Sequence, residues 1–453
     1  MRSFDAIVIG AGQAGPFLAA RLAEAGRKVA LVERKFLGGT CVNAGCMPTK
    51  TLVASAHAAR MVQRAAEFGI VTQGASSVDM AKVRDRAASV THNARQGLED
   101  WLGGIDNLTL LRGQARFEDA RTVIVNGERL QAPQIYINVG ARPTIPDYPG
   151  LADIPYLTST SILQLDTLPR HLVIVGGSYI GLEFAQMYRR FGAQVTVIER
   201  GERIASREDA DISDAIAGIL SAEGIDIRTG TGDLRFATDG ADIEIVAGGE
   251  TLYASHVLVA TGRTPNTDDL ELEAAGVTCD ARGYITVDDR LQTNVKGLWA
   301  LGDCNGRGAF THTSYNDFEI AAANLLDGED RKVSDRILGY ALYIDPPLGR
   351  VGMSERAARA SGRPLLVSVR PMSAVGRAVE KDETQGFMKL VADASSGQIL
   401  GAAILGTGGD EAIHGILDAM NAKTSHHALK WAVPIHPTVS EQVPTLIGGL
   451  QPV

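Results

Sequence analysis

A chain of 453 residues exceeds what one hydrophobic core supports and divides into roughly two to four domains. With 45% apolar and 21% charged residues it has the material for a folded interior and no signature of disorder. A formal charge of −9 argues against nucleic acid as a partner, since that needs a basic face.

In chain order, Ala6-Ile7-Val8-Ile9 is a short apolar strand, entered from Arg2 and Asp5 and followed by Gly10-Ala11-Gly12-Gln13-Ala14-Gly15. One Arg before an apolar run superficially resembles a secretion signal. Asp5 at its front and the three glycines break that pattern, so cytoplasm is the expected location. No apolar run reaches the ~18 residues of a membrane span. A helical pattern follows (Phe17, Leu18, Arg21, Leu22), then a second strand, Val29 to Val32, ending at Glu33. Glycines let a turn be tight and let backbone N–H groups approach a pyrophosphate at a helix N-terminus. An acid at the end of the second strand accepts from a ribose diol.

Next comes Gly38-Gly39-Thr40-Cys41-Val42-Asn43-Ala44-Gly45-Cys46-Met47-Pro48-Thr49-Lys50. A regular helix does not place residues five apart on one face, but Gly45 and Pro48 distort the chain enough for a small disulfide ring. An apolar helical pattern resumes (Leu52, Ala56, Met61), so the pair sits near a helix N-terminus, where a thiol pKa falls. A close cysteine pair reads as redox chemistry or a metal site. No CxxC occurs and no His lies nearby, and two thiolates do not complete a tetrahedral zinc site, so redox is favoured and no metal site is expected. The other two cysteines, Cys279 and Cys304, lack close partners in sequence and read as structural.

Ile135 to Pro143 is an apolar strand stopped by Gly140 and Pro143. The opening pattern then recurs. Leu172 to Val175 leads into Gly176-Gly177-Ser178-Tyr179-Ile180-Gly181, a helix through Glu183, Phe184 and Met187, and a strand from Val195 to Ile198 ending at Glu199. The interval from first glycine to acid is the same in both copies, and two matching strand–turn–helix–strand–acid units point to two dinucleotide sites. Ser178 stands at the middle glycine position of the second copy, which leaves the backbone approach there open to question. Val257 to Pro265 and Leu298 to Asp303 read as further strands returning to these sheets. Around residue 335 the texture changes to apolar runs (Phe387 to Val391, Ile399 to Ile404) and helices with no fingerprint, a separate α+β domain. The pair His426-His427 reads as a solvated loop or helix start.

These segments resemble the pyridine nucleotide–disulfide oxidoreductases: dihydrolipoamide dehydrogenase, glutathione reductase, mercuric reductase and their relatives. The resemblance spans essentially the whole chain, through Gly10 to Gly15, Gly39 to Lys50, Gly176 to Glu183, Ala260 to Arg263, Gly302-Asp303 and His436-Pro437-Thr438-Val439-Ser440-Glu441. It implies an α/β fold with two Rossmann-like dinucleotide-binding domains and a C-terminal α+β dimerisation domain. Residues 1–150 and 275–334 would form a discontinuous FAD domain, 151–274 an NAD(P)H domain, and 335–453 the interface domain.

By the same resemblance, Gly10, Gly12, Gly15, Glu33, Thr40, Lys50, Gly113, Ala115, Gly140 and Asp303 would serve FAD. Gly176, Tyr179, Gly181, Glu183, Glu199 and Gly262 would serve NAD(P)H, with Tyr179 covering the nicotinamide pocket and Lys50 paired with Glu183 beside the flavin. Cys46 would face the flavin and Cys41 would attack substrate. His436, oriented by Glu441 and donated by the second subunit of a homodimer, would act as acid and base, a task suited to a group titrating near neutrality. Glu199 favours the free ribose diol of NADH, although Arg200 and Arg203 are placed to meet a 2′-phosphate.

A disulfide or thiol substrate suits the retained His436, and a metal-ion (mercuric or copper) reductase is the alternative. The segments Phe310 to Phe318 and Asp345 to Gly352 look closer to a stress-response branch that includes the reactive-chlorine resistance flavoprotein associated with copper(II) reduction. There His312 could contact flavin or substrate, or be structural. From another class, the chain could be a redox-sensing nucleotide-binding protein with little turnover.

Overall fold

The computed structural model describes residues 1–72, 74 and 77–453. Two five-stranded parallel sheets dominate. In the first, the order is Leu298–Ala300, Gln134–Ile137, Ala6–Ile9, Val29–Glu33, Leu108–Arg112. In the second it is Tyr156–Thr158, His256–Val259, His171–Val175, Gln194–Ile198, Asp226–Arg228. Parallel strands need crossovers that cover the sheet, and the central strands Ala6–Ile9 and His171–Val175 are buried at every position. The return strands anticipated at Ile135, Val257 and Leu298 each pair where that reading put them.

Helix α1 (Gly15–Glu24) crosses between the first two strands of the first sheet. Helices α2 (Gly39–Ala44) and α3 (Cys46–Gln63) follow, then α4 (Met80–Gly103), capped by the Asp79 carboxylate on the Lys82 N–H. Helix α5 (Tyr179–Phe191) is the crossover of the second sheet, and α6 (Ala210–Ala222) leads to its edge strand. The first sheet changes direction at Ala6–Ile9, where the order turns from later strands on one side to Gln134–Ile137 on the other. An open crevice for a dinucleotide lies at such a switch point, and Gly10 begins there.

Helix α7 (Thr311–Ala322) ends this half of the chain. The rest is a six-stranded sheet, antiparallel throughout, from Gly339–Leu342 to Gln451–Pro452. Its central strands, Phe387–Asp393 and Ile399–Leu405, are buried almost end to end, being covered on both faces. One core cluster joins Leu52 and Ala56 of α3, Leu182 and Phe184 of α5, and Leu342 and Leu405 of this sheet. Helix α3 is therefore clamped between the second parallel sheet and the antiparallel one. Among the described residues no helix is long and apolar enough to cross a membrane.

Candidate active site

Both glycine turns are built as the fingerprints require. Gly10 sits at φ +99°, and a Cβ on Gly15 would lie 2.1 Å from the Gly10 carbonyl oxygen, so helix α1 meets its strand only without side chains. No side chain caps α1 or α5, which leaves their first N–H groups facing the turns. Gly176 and Gly181 repeat the contact, with a Cβ on Gly181 falling 2.0 Å from the Gly176 oxygen. Gly12 lies against Asn138, and Ser178, at φ −98°, needs no left-handed backbone, so a serine fits there. The acids close each turn: Glu33 Oε2 accepts from Ala11 N–H at 2.8 Å and Glu199 Oε2 from Gly177 N–H at 2.8 Å.

The other FAD candidates line the same region. Gly113 donates its N–H to the Glu33 carbonyl at 3.0 Å, and Ala115, itself buried, opens the strand beyond it. Gly140 (φ +65°) and Gly262 (φ +135°) terminate the return strands of the two sheets. Asp303 is largely buried. Desolvation pushes its carboxyl up, and Arg263, 3.6 Å away, opposes that. Uncapped helix ends, bare glycine turns and strand-end carboxylates form the donor and acceptor set that pyrophosphate, ribose and ribityl hydroxyls need, so the residues present fit FAD at the first sheet and a nicotinamide dinucleotide at the second.

The cysteines meet because the helix breaks between them. Gly45, at φ −136° and ψ −119°, ends α2 and begins α3, and a Cβ there would crowd the Thr40 carbonyl at 2.9 Å. Cys46 is thereby the first residue of α3. The two groups are thiols here, Cys46 exposed and Cys41 half-buried. The Cys41 thiol hydrogen-bonds Cys46, which holds Cys46 down to about 6; the Thr311 hydroxyl, 3.1 Å from Cys46 Sγ, and the Lys50 charge add to this against partial desolvation. The same bond, with desolvation and the neighbouring thiolate, pushes Cys41 far up. One sulfur is thus a thiolate at neutral pH and the other its proton donor.

Lys50 Nζ lies 2.6 Å from Glu183 Oε2 and over the Tyr343 ring at 4.5 Å, and Glu183 also accepts the Tyr343 N–H at 3.0 Å. Thr40, beside Cys41 on α2, has its hydroxyl 3.5 Å from Arg263. Tyr179 opens α5 and donates to Glu208 at 2.5 Å. His436 Nδ1 pairs with Glu441 Oε2 at 2.8 Å, but the imidazole is 78% exposed and, among the described residues, touches neither cysteine.

Four contributors escaped the sequence reading. Thr311 is joined to Cys46 across 265 residues of chain; Asn138 donates to Gly10 O at 3.3 Å; Arg263 faces Asp303; and Tyr343 covers Lys50. Asn138, Arg263 and Thr311 lay inside segments singled out in the sequence, but no spacing there indicated these contacts. Other readings need adjustment. His426-His427 does open a short helix, but His426 is buried rather than solvated. His312 Nε2 meets the Gly339 carbonyl at 2.6 Å and its ring stacks on Phe310. Cys304 is buried and pushed up to about 12, consistent with a structural thiol, while Cys279 is exposed at a β-bridge.

Comparison with known proteins bears on the whole arrangement. Residues 4–317 match the pyridine nucleotide-disulphide oxidoreductase family model and residues 339–447 the dimerisation domain of that family. The probable pyridine nucleotide-disulfide oxidoreductase RclA of Escherichia coli is 35% identical over 98% of both chains. A mercuric reductase of Bacillus cereus is 35% identical over 91% of this chain, which spans 66% of that protein. A dihydrolipoyl dehydrogenase of Geobacillus stearothermophilus is 33% identical over 96% of this chain and 94% of its own. The solved structure described as the Cu(II) complex of the HOCl-induced flavoprotein disulfide reductase RclA superposes with a TM-score of 0.91, covering 99% of each chain at 34% identity. Agreement along nearly the full length, in sequence and in three dimensions, means that this chain belongs to the pyridine nucleotide-disulphide oxidoreductase family and is one of its flavin-dependent enzymes.

Proposed function

We propose that this enzyme takes reducing equivalents from NADH and delivers them through Cys46 and Cys41 to a small disulfide, working as a homodimer in which His436 and Glu441 complete the partner's site. The observation that carries this reading is the asymmetry of the two thiols, with Cys46 held down to about 6 and Cys41 pushed up. FAD, bound along Gly10–Gly15, Glu33 and Asp303, would supply the two-electron link between nicotinamide and the cysteine pair.

The thiol chemistry follows from this chain's residues. Cys41 cannot attack while it holds its proton, so it needs a base, and His436 oriented by Glu441 has the chemistry to serve. Cys41 sulfur then bonds to one substrate sulfur, breaking the substrate S–S bond, and the departing thiolate takes the proton that His436 received. Cys46 thiolate next attacks Cys41 sulfur, forming the Cys41–Cys46 disulfide and releasing the second substrate sulfur as a thiolate, which takes its proton from solvent. Two electrons pass from the pair to the substrate. The exposure of His436 and of Trp431, Val433 and Ile435 just before it supports a site completed by a second copy.

NADH is favoured over NADPH because Glu199 occupies the ribose position at the strand end, with Oε1 also accepting from Gly201 N–H at 2.7 Å. Arg203, one of the two residues placed to meet a phosphate, is engaged by Asp214 at 3.0 Å. The domain division proposed is 1–150 with 275–334, 151–274 and 335–453. It is supported by Leu298–Ala300 joining the first sheet and by the antiparallel sheet starting at Gly339. A reactive dithiol suits a reducing compartment, and we assign the enzyme to the cytoplasm.

A metal-ion reductase is the second reading, favoured by the similarity to a flavoprotein whose structure is described as a Cu(II) complex and to mercuric reductases. Anaerobic NADH oxidation with lipoamide, Hg(II) and Cu(II) as parallel acceptors separates the two. Turnover with lipoamide alone establishes disulfide reduction. Turnover with a metal ion and not with lipoamide overturns the first reading and the role given to His436.

A further inference from the structure

Beside Tyr179 lies a buried cluster that the electron path does not use. Glu208 is 2% exposed, yet its Oε1 accepts two phenolic hydrogens, from Tyr179 at 2.5 Å and from Tyr340 at 2.7 Å. Its Oε2 has no hydrogen-bond partner among the described residues and faces Arg350 at 3.5 Å, too long for a proper bond. The two rings lean together at 5.5 Å, and Phe310, next to Thr311 in the chain, stacks on Tyr340 at 5.3 Å and 11°. A cleft of about 240 Å³ borders the cluster, lined by Tyr179, Phe310, Leu338, Tyr340 and Arg350.

We propose that Glu208 is the latch of the nicotinamide gate: its carboxylate holds Tyr179 closed over the pocket, and the Tyr340 hydroxyl sets how strongly. This rests on the reading that Tyr179 covers the nicotinamide site. A hydrogen bond to a carboxylate is stronger than one to a neutral acceptor, so the closed gate is favoured, and a dinucleotide must bear that cost before it binds. When Tyr179 swings away, Tyr340 still donates to Glu208, so the buried charge keeps one partner in the open state. Glu208 is therefore a positioning residue: it acts through Tyr179 and touches no substrate.

Opposite signs follow for conservative variants. Tyr179→Phe and Glu208→Gln weaken or remove the latch while keeping shape, so each tightens nicotinamide binding. Their double variant gains no more than one of them, since both break the same bond. Tyr340→Phe has the reverse effect. Opening the gate then strands Glu208 without a donor, so closure is favoured and binding weakens.

The test is calorimetric titration of NAD⁺, which transfers no hydride, into the oxidised holoenzyme, with anaerobic stopped-flow flavin reduction by NADH alongside. Expected are apparent Kd values about fivefold lower for Y179F and E208Q and about fivefold higher for Y340F. Equal affinities for wild type, Y179F and Y340F overturn the latch, as does any result in which the two tyrosine variants shift the same way. This pair decides the matter even where E208Q fails to fold. Tyr179→Gly tests the underlying reading separately. If it leaves both NAD⁺ affinity and flavin reduction unchanged, Tyr179 does not cover the pocket; if it alters them while Y179F does not, the cover stands and the latch falls.

Discussion

Thr311 shows how one side chain tunes the sulfur that matters. Its hydroxyl meets Cys46 Sγ at 3.1 Å and favours the thiolate, so Thr311→Val removes that help and raises the Cys46 pKa from about 6 by roughly half to one unit. The sign is that of any acid: Cys46 is thiolate above its pKa and thiol below it. The pH midpoint for alkylation of the reduced enzyme by iodoacetamide should therefore move upward in the variant, and an unchanged midpoint would show that the contact does not bear on the charge. Lys50→Met acts on the same sulfur by removing a positive charge, and it also deprives Glu183, only 8% exposed on its side chain, of its ion-pair partner. Because Glu183 keeps the Tyr343 N–H, the loss should be about 1–3 kcal/mol, read as a lower denaturation midpoint in urea with the slope unchanged.

At the level of elements, the strand–turn–helix units are the proposed cofactor cradles. Helix α1 approaches its strand so closely that Gly15→Ala would place a methyl 2.1 Å from the Gly10 oxygen, a backbone atom with nowhere to retreat. That variant is expected to emerge with little bound flavin, measured as flavin absorbance per chain, while far-ultraviolet circular dichroism remains close to wild type. Full flavin occupancy would mean that the turn relaxes and is not the cradle. These units were readable in advance because their signal is local: an apolar run, glycines at fixed spacing and an acid at a fixed interval. Gly45 was readable as a helix break for the same reason, whereas its role in bringing Cys46 to the head of α3 shows only in its contact with Thr40. The solvated reading of His426-His427 missed because adjacent residues on a short helix face different ways, and which one is buried depends on what packs above.

At the scale of the molecule, the proposed completion of each site by a second copy makes its own prediction. Among the described residues of one chain His436 pairs with Glu441 and contacts no cysteine, so the pairing of a Cys41→Ser chain with a His436→Ala chain is decisive. Each homodimer should lose most of its lipoamide turnover. In the isolated hybrid, one site keeps both an intact cysteine pair and an intact histidine, so about half of wild-type turnover should return. No recovery in the hybrid means that the histidine serves its own chain; undiminished turnover in the His436→Ala homodimer means that it serves none. The clamp on α3 belongs to this scale as well. Buried Arg190 of α5 bridges Glu223 at 2.6 Å and Asp345 at 2.6 Å, and Asp345 also meets His57 of α3 at 3.0 Å, so one charge cluster ties the thiol-bearing helix to both flanking domains.

The amino-acid sequence by itself determined the elements whose causes lie within about thirty residues: the two glycine-turn units, the cysteine-pair segment, and the change of architecture near residue 335. Glycine conformation, hydrophobic period and the placement of an acid are local matters, and local chemistry is legible in one dimension. Tertiary structure alone decided what joins distant segments: Thr311 on Cys46, Asn138 under the first turn, Tyr343 over Lys50, and Glu208 between two tyrosines from different domains. The physical reason is that a hydrogen bond depends on distances of about 3 Å in space. No spacing along the chain encodes such a distance until the sheets and the clamped helix have set it.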